Sequence, residues 1–131
     1  MILHHDTDWL VVDKPTGMAT HAGQPGELGV VEWLALHVSL DTHVVSRLDR
    51  GTSGALLLAR NPAAAARAQA IHEAGTATKS YEFLATDDSR KLRLGDTWQR
   101  DDTLDGKAAH TKFTRLGPSA DGRLFHYRAE I

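Results

Sequence analysis

The sequence lacks cysteine altogether, which excludes disulfide bonds and thiol chemistry. A chain without cysteine suits a reducing compartment, so we expect a cytoplasmic protein. No apolar run approaches the roughly 20 residues that a membrane-spanning helix needs. The first residues, MILHHDTDWLVVDK, lack the basic start and long apolar stretch of a secretory signal. These absences predict a protein that has no membrane partner.

The chain also lacks an excess of positive charge. Its formal net charge is -2, so binding to nucleic acid would have to use a local basic patch rather than a protein-wide field. Apolar residues make up 41% of the sequence, an ordinary value for a globular protein. The length of 131 residues suits a single domain with a modest core.

The hydrophobic pattern predicts alternating strands and helices. Strands are predicted where apolar and polar residues alternate or where an apolar run is short: 9–14, 55–60, 78–86, 108–116 and 122–131. One helix is predicted over Leu28–Val38, and a second begins after Asn61, with Pro62 in its first turn and Gly75 as its stop. The polar and charged residues 87–106 predict an exposed loop or an irregular hairpin.

The stretch SRLDRGTSG, residues 46–54, has the most distinctive chemistry. Asp49 stands between Arg47 and Arg50, and a nearby cation favours the ionised form of a carboxylate. The Gly-Thr-Ser-Gly run that follows permits a tight turn and offers two hydroxyl groups. An ionised carboxylate at the start of a buried strand is suited to act as a nucleophile or general base. On these residues alone, an Arg–Asp ion pair that merely closes a surface loop is the alternative.

Two other catalytic patterns fit the same stretch less well. A serine-hydrolase elbow requires Gly-x-Ser-x-Gly, whereas Ala55 stands where the last glycine belongs. Ser53 also precedes the apolar strand, while the serine of such an elbow follows a strand. A phosphate-binding loop of the type Gly-x-x-x-x-Gly-Lys-Ser/Thr does not occur in the sequence.

The eight histidines do not form a metal-binding pattern. His72 and Glu73 begin a possible His-Glu-x-x-His motif, but Thr76 occupies the position of the second histidine. His4 and His5 are adjacent, so on a strand they point to opposite faces. We therefore expect no bound metal.

Four stretches together resemble one known family. The segment SRLDRGTSGALLLA closely resembles the signature His-Arg-Leu-Asp-x-x-Thr-Ser-Gly of the RluA-type RNA pseudouridine synthases. WLVVDKPTGMATH, TATKSYEFLA and GKAAHTKFTRL are similar to three further motifs of that family and occur in the family's order. The resemblance covers almost the whole chain. It implies an α+β fold with a mixed, mainly antiparallel sheet and flanking helices, formed by residues 1–131 as one catalytic domain.

The resemblance also implies an RNA-modifying isomerase. In the family reaction, the C1'–N1 bond of a uridine breaks, the base turns, and C1' joins C5 to give pseudouridine, without a cofactor. Asp49 corresponds to the catalytic aspartate, which attacks the ribose, attacks the uracil ring or assists glycal formation. Tyr81 corresponds to a tyrosine that packs on the flipped uracil and takes part in proton transfer. From alternation alone, Tyr81 is equally an ordinary core residue.

Further residues are implied to contact the RNA, which is either tRNA or rRNA. They share a positive charge or a hydroxyl group: Arg47, Arg50, Thr52, Lys14 and Lys79. Arg47 matches the family arginine that fills the space left by the flipped base or holds the RNA backbone. For both lysines the alternative is a solvated side chain at the end of a strand. With so few phosphate contacts, the expected affinity for RNA is modest and salt-sensitive.

The sequence departs from the family pattern in two respects. Ser46 stands where the family has histidine. The family also continues into a strand carrying Thr-Gly-Arg-x-His-Gln-Ile-Arg, which supplies a basic partner for the catalytic aspartate, and many members carry an S4-like RNA-binding domain. We therefore expect residues 1–131 to be a monomeric catalytic domain that is incomplete at its C-terminal end. The alternative function is a catalytically inactive fragment that binds RNA or a protein.

Overall fold

A computed structural model describes residues 2–86, 92–104 and 106–131. The chain forms two compact units, one extending to Thr76 and the other beginning at Ala77. Each unit contains its own four-stranded sheet, and every strand pair is antiparallel.

The sheet of the first unit has the strand order β1-β2-β4-β3. Its strands are β1 (Ile2–His5), β2 (Trp9–Lys14), β3 (His43–Val44) and β4 (Gly54–Ala59). In the central pair, Trp9 lies opposite Ala59 and Lys14 lies opposite Gly54. The end of β2 is therefore beside the start of β4, directly after the segment that contains Asp49.

Two helices belong to the same unit, α1 (Val30–Val38) and α2 (Pro62–Glu73). The Asn61 side chain caps α2 by accepting a hydrogen bond from the Ala64 N–H at 2.8 Å, which confirms the predicted N-cap. The core joins β2, β4 and α1 through fully buried aliphatic side chains: Leu10, Val12, Val30, Leu34, Leu56 and Leu58. In the described part of the chain, no helix has the length and apolar character of a membrane span.

The sheet of the second unit has the order β5-β8-β7-β6. Its strands are β5 (Ser80–Ala85), β6 (Thr97–Leu104), β7 (Lys107–Pro118) and β8 (Phe125–Glu130). Aromatic rings from all four strands pack on one face. Trp98 stacks on Phe113 with centroids 4.8 Å apart, and Phe83 stacks on Tyr127 at 5.6 Å.

The predicted α+β class and the main elements are confirmed. An observed strand overlaps each predicted strand segment: 9–14, 55–60, 78–86, 108–116 and 122–131. Both predicted helices are also present. The described strands form two antiparallel sheets instead of one mixed sheet. β1 and β3 were not predicted, and β6 gives residues 97–104 of the polar segment a regular strand. The remainder of that prediction falls partly on residues 87–91 and 105, outside the described residues.

Candidate active site at the Asp49 turn

Asp49 lies on a tight turn immediately before β4. The Thr52 N–H donates to the Asp49 carbonyl at 3.0 Å and closes the turn. Gly54 then begins the strand with a φ of +124°, a conformation that side chains with a Cβ rarely adopt. Asp49 is exposed. The glycine thus lets the chain leave the turn and enter the buried strand within a few residues.

Residues 15–20 hold this turn in place through hydrogen bonds to its backbone. The Gly17 N–H donates to the Arg50 carbonyl at 2.7 Å. The Thr20 hydroxyl donates to the Leu48 carbonyl at 2.9 Å and accepts from the Leu48 N–H at 3.2 Å. Because these bonds reach the residues on both sides of Asp49, they fix the backbone from which its carboxylate extends.

Lys14 lies beneath the turn and is fully buried. Its Nζ donates to the carbonyls of Met18 at 2.6 Å, Pro15 at 3.1 Å and Arg50 at 3.4 Å. Burial lowers the pKa of Lys14, repulsion from Arg50 lowers it further, and attraction to Asp49 opposes the change. The structure therefore corrects both interpretations of Lys14, because a buried lysine is neither solvated nor accessible to RNA.

Arg50 pairs with Glu27 and does not pair with Asp49. Its guanidinium also donates to the Gly17 carbonyl at 3.4 Å, while the Glu27 carboxylate accepts from the Gly23 N–H at 3.1 Å. The hydrogen bond from Arg50, helped by the one from Gly23, lowers the pKa of Glu27. Arg50 therefore does not form the loop-closing Arg–Asp ion pair that was the alternative on the residues alone, since Glu27 occupies its guanidinium.

The charged groups of Asp49 and Arg47 are accessible to solvent. Both side chains are exposed. Within residues 2–76, neither one forms a hydrogen bond or an ion pair with another side chain or with a backbone group. The loop-closing Arg–Asp ion pair that the residues alone allowed is thus not formed there. A carboxylate and a guanidinium two residues apart remain free to contact a substrate.

Two hydroxyl residues of the motif lie close to the turn. Thr52 is half-buried and supplies the N–H that closes it. Ser46, which replaces the family's histidine, donates from its hydroxyl to the Leu57 carbonyl at 3.0 Å. This bond ties the start of the motif to β4, so the serine has a structural contact of its own.

Tyr81 and Lys79 belong to the second unit, whereas Asp49 belongs to the first. Tyr81 is half-buried in β5 opposite Ala129, two residues from Phe83 and so on the same face of the strand. Lys79 is exposed, and its backbone exchanges hydrogen bonds of 2.8 and 2.9 Å with Ile131. The catalytic role of Tyr81 and the RNA contact of Lys79 stay predictions.

The sequence analysis missed Glu27 and Thr20. Thr20 is one of two buried polar side chains in the described part of the chain, and Lys14 is the other. Nothing in the loop GQPGELG indicates that its glutamate pairs with an arginine 23 positions further on. The threonine in MATH could have been noticed as part of the first motif. No group of three or more potential metal ligands occurs among the described residues.

Comparison with known proteins identifies the family. The family model described as RNA pseudouridylate synthase matches residues 8–131. The chain is 41% identical over 61 residues to the ribosomal large subunit pseudouridine synthase C of Buchnera aphidicola from Schizaphis graminum. It is 27% identical over 135 residues to an uncharacterized RNA pseudouridine synthase of Bacillus subtilis. The chain therefore belongs to the RNA pseudouridylate synthase family, and its motifs are of the RluA type.

Solved structures show the same fold. The human RNA pseudouridylate synthase domain containing 1 aligns with a TM-score of 0.76 at 21% identity, over 98% of this chain and 58% of that one. Coverage of the curated relatives is lower. The alignment spans 45% of this chain and 19% of the Buchnera protein, and 97% of this chain and 43% of the Bacillus protein. The chain thus spans less than half the length of these relatives.

Proposed function

We propose that the protein isomerises a specific uridine of an RNA to pseudouridine, with Asp49 as its catalytic group. The observation that carries this proposal is an exposed carboxylate that forms no hydrogen bond or ion pair within residues 2–76, on a turn fixed by hydrogen bonds to the backbone on both sides. Membership of the family supports the reaction class. Because the family match includes residues from both units, we assign both to one catalytic domain.

The chemistry requires the uridine to leave its stack so that Asp49 can reach it. The C1'–N1 bond then breaks, a C1'–C5 bond forms, C5 loses its proton and N1 gains one. Nucleophilic attack and glycal formation both begin from an ionised carboxylate, so the proposal does not depend on the route. Arg47 would hold an RNA phosphate or fill the vacated stack. Tyr81 would stack on the flipped base, an interaction of about 1–3 kcal/mol per base.

The proposed substrate is ribosomal RNA. Several curated relatives, from Buchnera and Vibrio, have the name ribosomal large subunit pseudouridine synthase C. A transfer RNA remains the competing substrate, which the choice of RNA in the assay distinguishes. Action on ribosomal RNA agrees with the cytoplasmic location expected from the sequence, which stays a prediction.

The test is release of tritium from RNA labelled at C5 of uridine, with ribosomal and transfer RNA offered separately. We expect release from ribosomal RNA by the parent chain and loss of release in Asp49→Asn. Asp41→Asn is the matched control, because Asp41 is also an exposed loop aspartate of the first unit, and it should retain activity.

Equal release by the parent and by Asp49→Asn would show that the assigned catalytic group is wrong. Release from transfer RNA alone would correct the substrate. If the parent binds RNA but releases no tritium, and Asp49→Asn binds equally well, the chain is the inactive binding fragment considered as the alternative.

A further inference from the structure

The two buried polar side chains in the described part of the chain, Lys14 and Thr20, both bind the backbone beside Asp49. A buried polar group is costly unless it is hydrogen-bonded, and a buried charge is more costly still. The chain therefore places its costliest buried groups at the turn that carries the proposed catalytic carboxylate. Such an arrangement requires a reason beyond the packing of an aliphatic core.

The contacts of Lys14 suggest what that reason is. Its ammonium joins carbonyls from two segments far apart in sequence: Pro15 and Met18 after β2, and Arg50 after Asp49. The Arg50 carbonyl accepts from the Gly17 N–H at 2.7 Å as well. One carbonyl next to Asp49 is therefore bound by two donors, the ammonium group at the end of β2 and an N–H of the loop that follows.

The charges around the turn also indicate that Lys14 acts on Asp49. Glu27 pairs with Arg50 and offsets that positive charge, although Arg50 is next to Asp49 in sequence. Attraction to Asp49 favours the protonated form of Lys14, against the burial and the repulsion from Arg50 that together lower its pKa. Lys14 is thus a cation at the turn whose hydrogen bonds, among the described residues, go to carbonyl oxygens and to no carboxylate.

We propose that Lys14 is a positioning residue for the Asp49 turn: its buried ammonium clamps the Arg50 carbonyl and supplies positive charge on the protein side of the Asp49 carboxylate. Substrate would approach the opposite, exposed side. The effect on turnover rests on the proposed function, whereas the effect on the backbone of the turn does not.

The absence of cysteine allows a direct test in the full chain. Lys14→Cys introduces a single thiol, which can be alkylated in denaturant before refolding. Alkylation with 2-bromoethylamine restores a side chain of lysine length that ends in an ammonium group. Alkylation with 2-iodoethanol gives a side chain of the same length that ends in a neutral hydroxyl. The two products differ in charge and hardly at all in size.

The first readout is amide hydrogen exchange. The Gly17 and Thr52 amides report on the turn, because they donate to the carbonyls of Arg50 and Asp49. The amides of Leu56 and Leu58 report on the core strand. We expect the turn amides of the hydroxyethyl protein to exchange at least about tenfold faster than those of the aminoethyl protein, with the core amides unchanged.

The second readout is the kinetics of tritium release. A misplaced carboxylate should lower kcat by about tenfold or more with little change in KM, since the lysine is buried away from the RNA. The aminoethyl protein should recover most of the parent's kcat. A residue that merely supported the fold would lower the amount of active protein without this dependence on charge.

Equal exchange at Gly17 and Thr52 in the two alkylated proteins would overturn the proposal, because the charge would then play no part. Loss of protection at Leu56 and Leu58 to the same extent would also overturn it, since Lys14 would support the whole unit. If the exchange difference appears but the parent makes no pseudouridine, the clamp stands and the proposed function fails.

Discussion

Around Asp49, burial separates the side chains that build the turn from those that face solvent. Lys14 and Thr20 are buried and bind backbone oxygens, while Arg47 and Asp49 are exposed. Arg50 is also exposed, but its guanidinium is paired with Glu27. Polar and charged residues around one turn therefore have different tasks, and burial and pairing decide which task each has.

The Arg50–Glu27 pair predicts an effect on RNA binding. In Glu27→Gln the carboxylate no longer competes with phosphate for the guanidinium, so RNA affinity should rise. The slope of log K against log salt should steepen by about 0.7–0.9, the change expected for one added phosphate contact. Fluorescence anisotropy with labelled RNA at several salt concentrations measures both quantities.

Glu73→Gln is the control for general charge removal. It removes the same charge from α2, where the Glu73 carboxylate accepts from the amide of Gln69 at 2.8 Å and pairs with no cation in the described part of the chain. A rise in affinity of equal size in both variants would attribute the effect to net charge. An unchanged slope in Glu27→Gln would mean that Arg50 does not reach phosphate.

The hydrogen bonds of the Asp6 carboxylate predict a specific pH dependence of the protein's stability. The hydrogen bond with His4, followed by the N–H groups of Trp9 and Asp8, lowers the pKa of Asp6 from 3.8 to about 2. A carboxyl with a depressed folded-state pKa stabilises the protein above its ordinary pKa, and this contribution is lost as the pH falls toward 2. Stability should therefore decline between about pH 4 and pH 2.

Asp6→Asn tests this dependence because the amide oxygen can still accept from the Trp9 and Asp8 N–H groups but does not titrate in this range. Between pH 6 and pH 3, urea unfolding should show a smaller loss of stability in this variant than in the parent. Asp41→Asn, at an exposed loop position, should lose as much as the parent. An equal loss in Asp6→Asn would contradict the prediction.

At the residue scale, the sequence indicated the family but not the pairings of the side chains around Asp49. The motif around Asp49 pointed to the family, and the family match supports that interpretation. Adjacency in sequence left an ion pair of Arg50 with Asp49 open, whereas the guanidinium pairs with Glu27. The burial of Lys14 was missed because a lysine at a strand end is most often solvated.

At the scale of elements, α1 begins under tight steric constraint. Its N-cap, Gly29, is buried, and the Glu32 carboxylate accepts from the N–H groups of both Gly29 and Ala22 at 3.0 Å. A Cβ on Gly29 would lie 2.7 Å from the His21 carbonyl carbon and 2.8 Å from the Ala22 nitrogen. The start of the helix and the preceding loop therefore approach so closely that only glycine fits.

Gly29→Ala should lower the free energy of unfolding by about 1–3 kcal/mol, the usual cost of overpacking, because backbone atoms must move. Gly23→Ala is the control, since its Cβ would meet nothing closer than the Glu27 carboxylate at 3.5 Å. Urea unfolding followed by circular dichroism compares the two variants. Equal stability of both would show that the loop at His21 gives way without cost.

The elements that were predicted are those with a strong local pattern. Asn61 and Pro62 indicated the start of α2, and the apolar run GALLLA indicated β4. β1 escaped prediction because all four of its residues are exposed, so burial imposes no alternation on them. β3 has only two residues and is defined by its pairing with β4. β6 (TWQRDDTL) is mostly polar and is defined by its pairing with β7.

At the scale of the whole molecule, the order of the motifs was predictable and the division of the sheet was not. Four stretches in family order indicated the family that the comparison confirms. One sheet was expected, and the described strands form two. Strand pairing depends on backbone hydrogen bonds between distant segments, and alternation within a strand does not show which neighbour it takes.

The charge of the whole chain predicts the strength of the proposed RNA binding. With a formal net charge of -2, no protein-wide field assists binding, and the burial of Lys14 removes one cation that the sequence offered. Arg47 and Lys79 remain exposed, and Arg50 is partly offset by Glu27. Two to three phosphate contacts correspond to a slope of log K against log salt of about -1.4 to -2.7.

Binding should therefore be modest at physiological salt and lost at high salt, and Arg47→Gln should reduce the slope by about 0.7–0.9. Arg67→Gln is the matched control, because Arg67 is paired with Asp8 and lies over the Trp9 ring at 5.5 Å. It should leave the slope unchanged. Anisotropy titrations across a range of salt concentrations measure these slopes. A slope much steeper than -3 would mean that the RNA meets more cations than these, and an unchanged slope in Arg47→Gln would remove Arg47 from the proposed RNA contact.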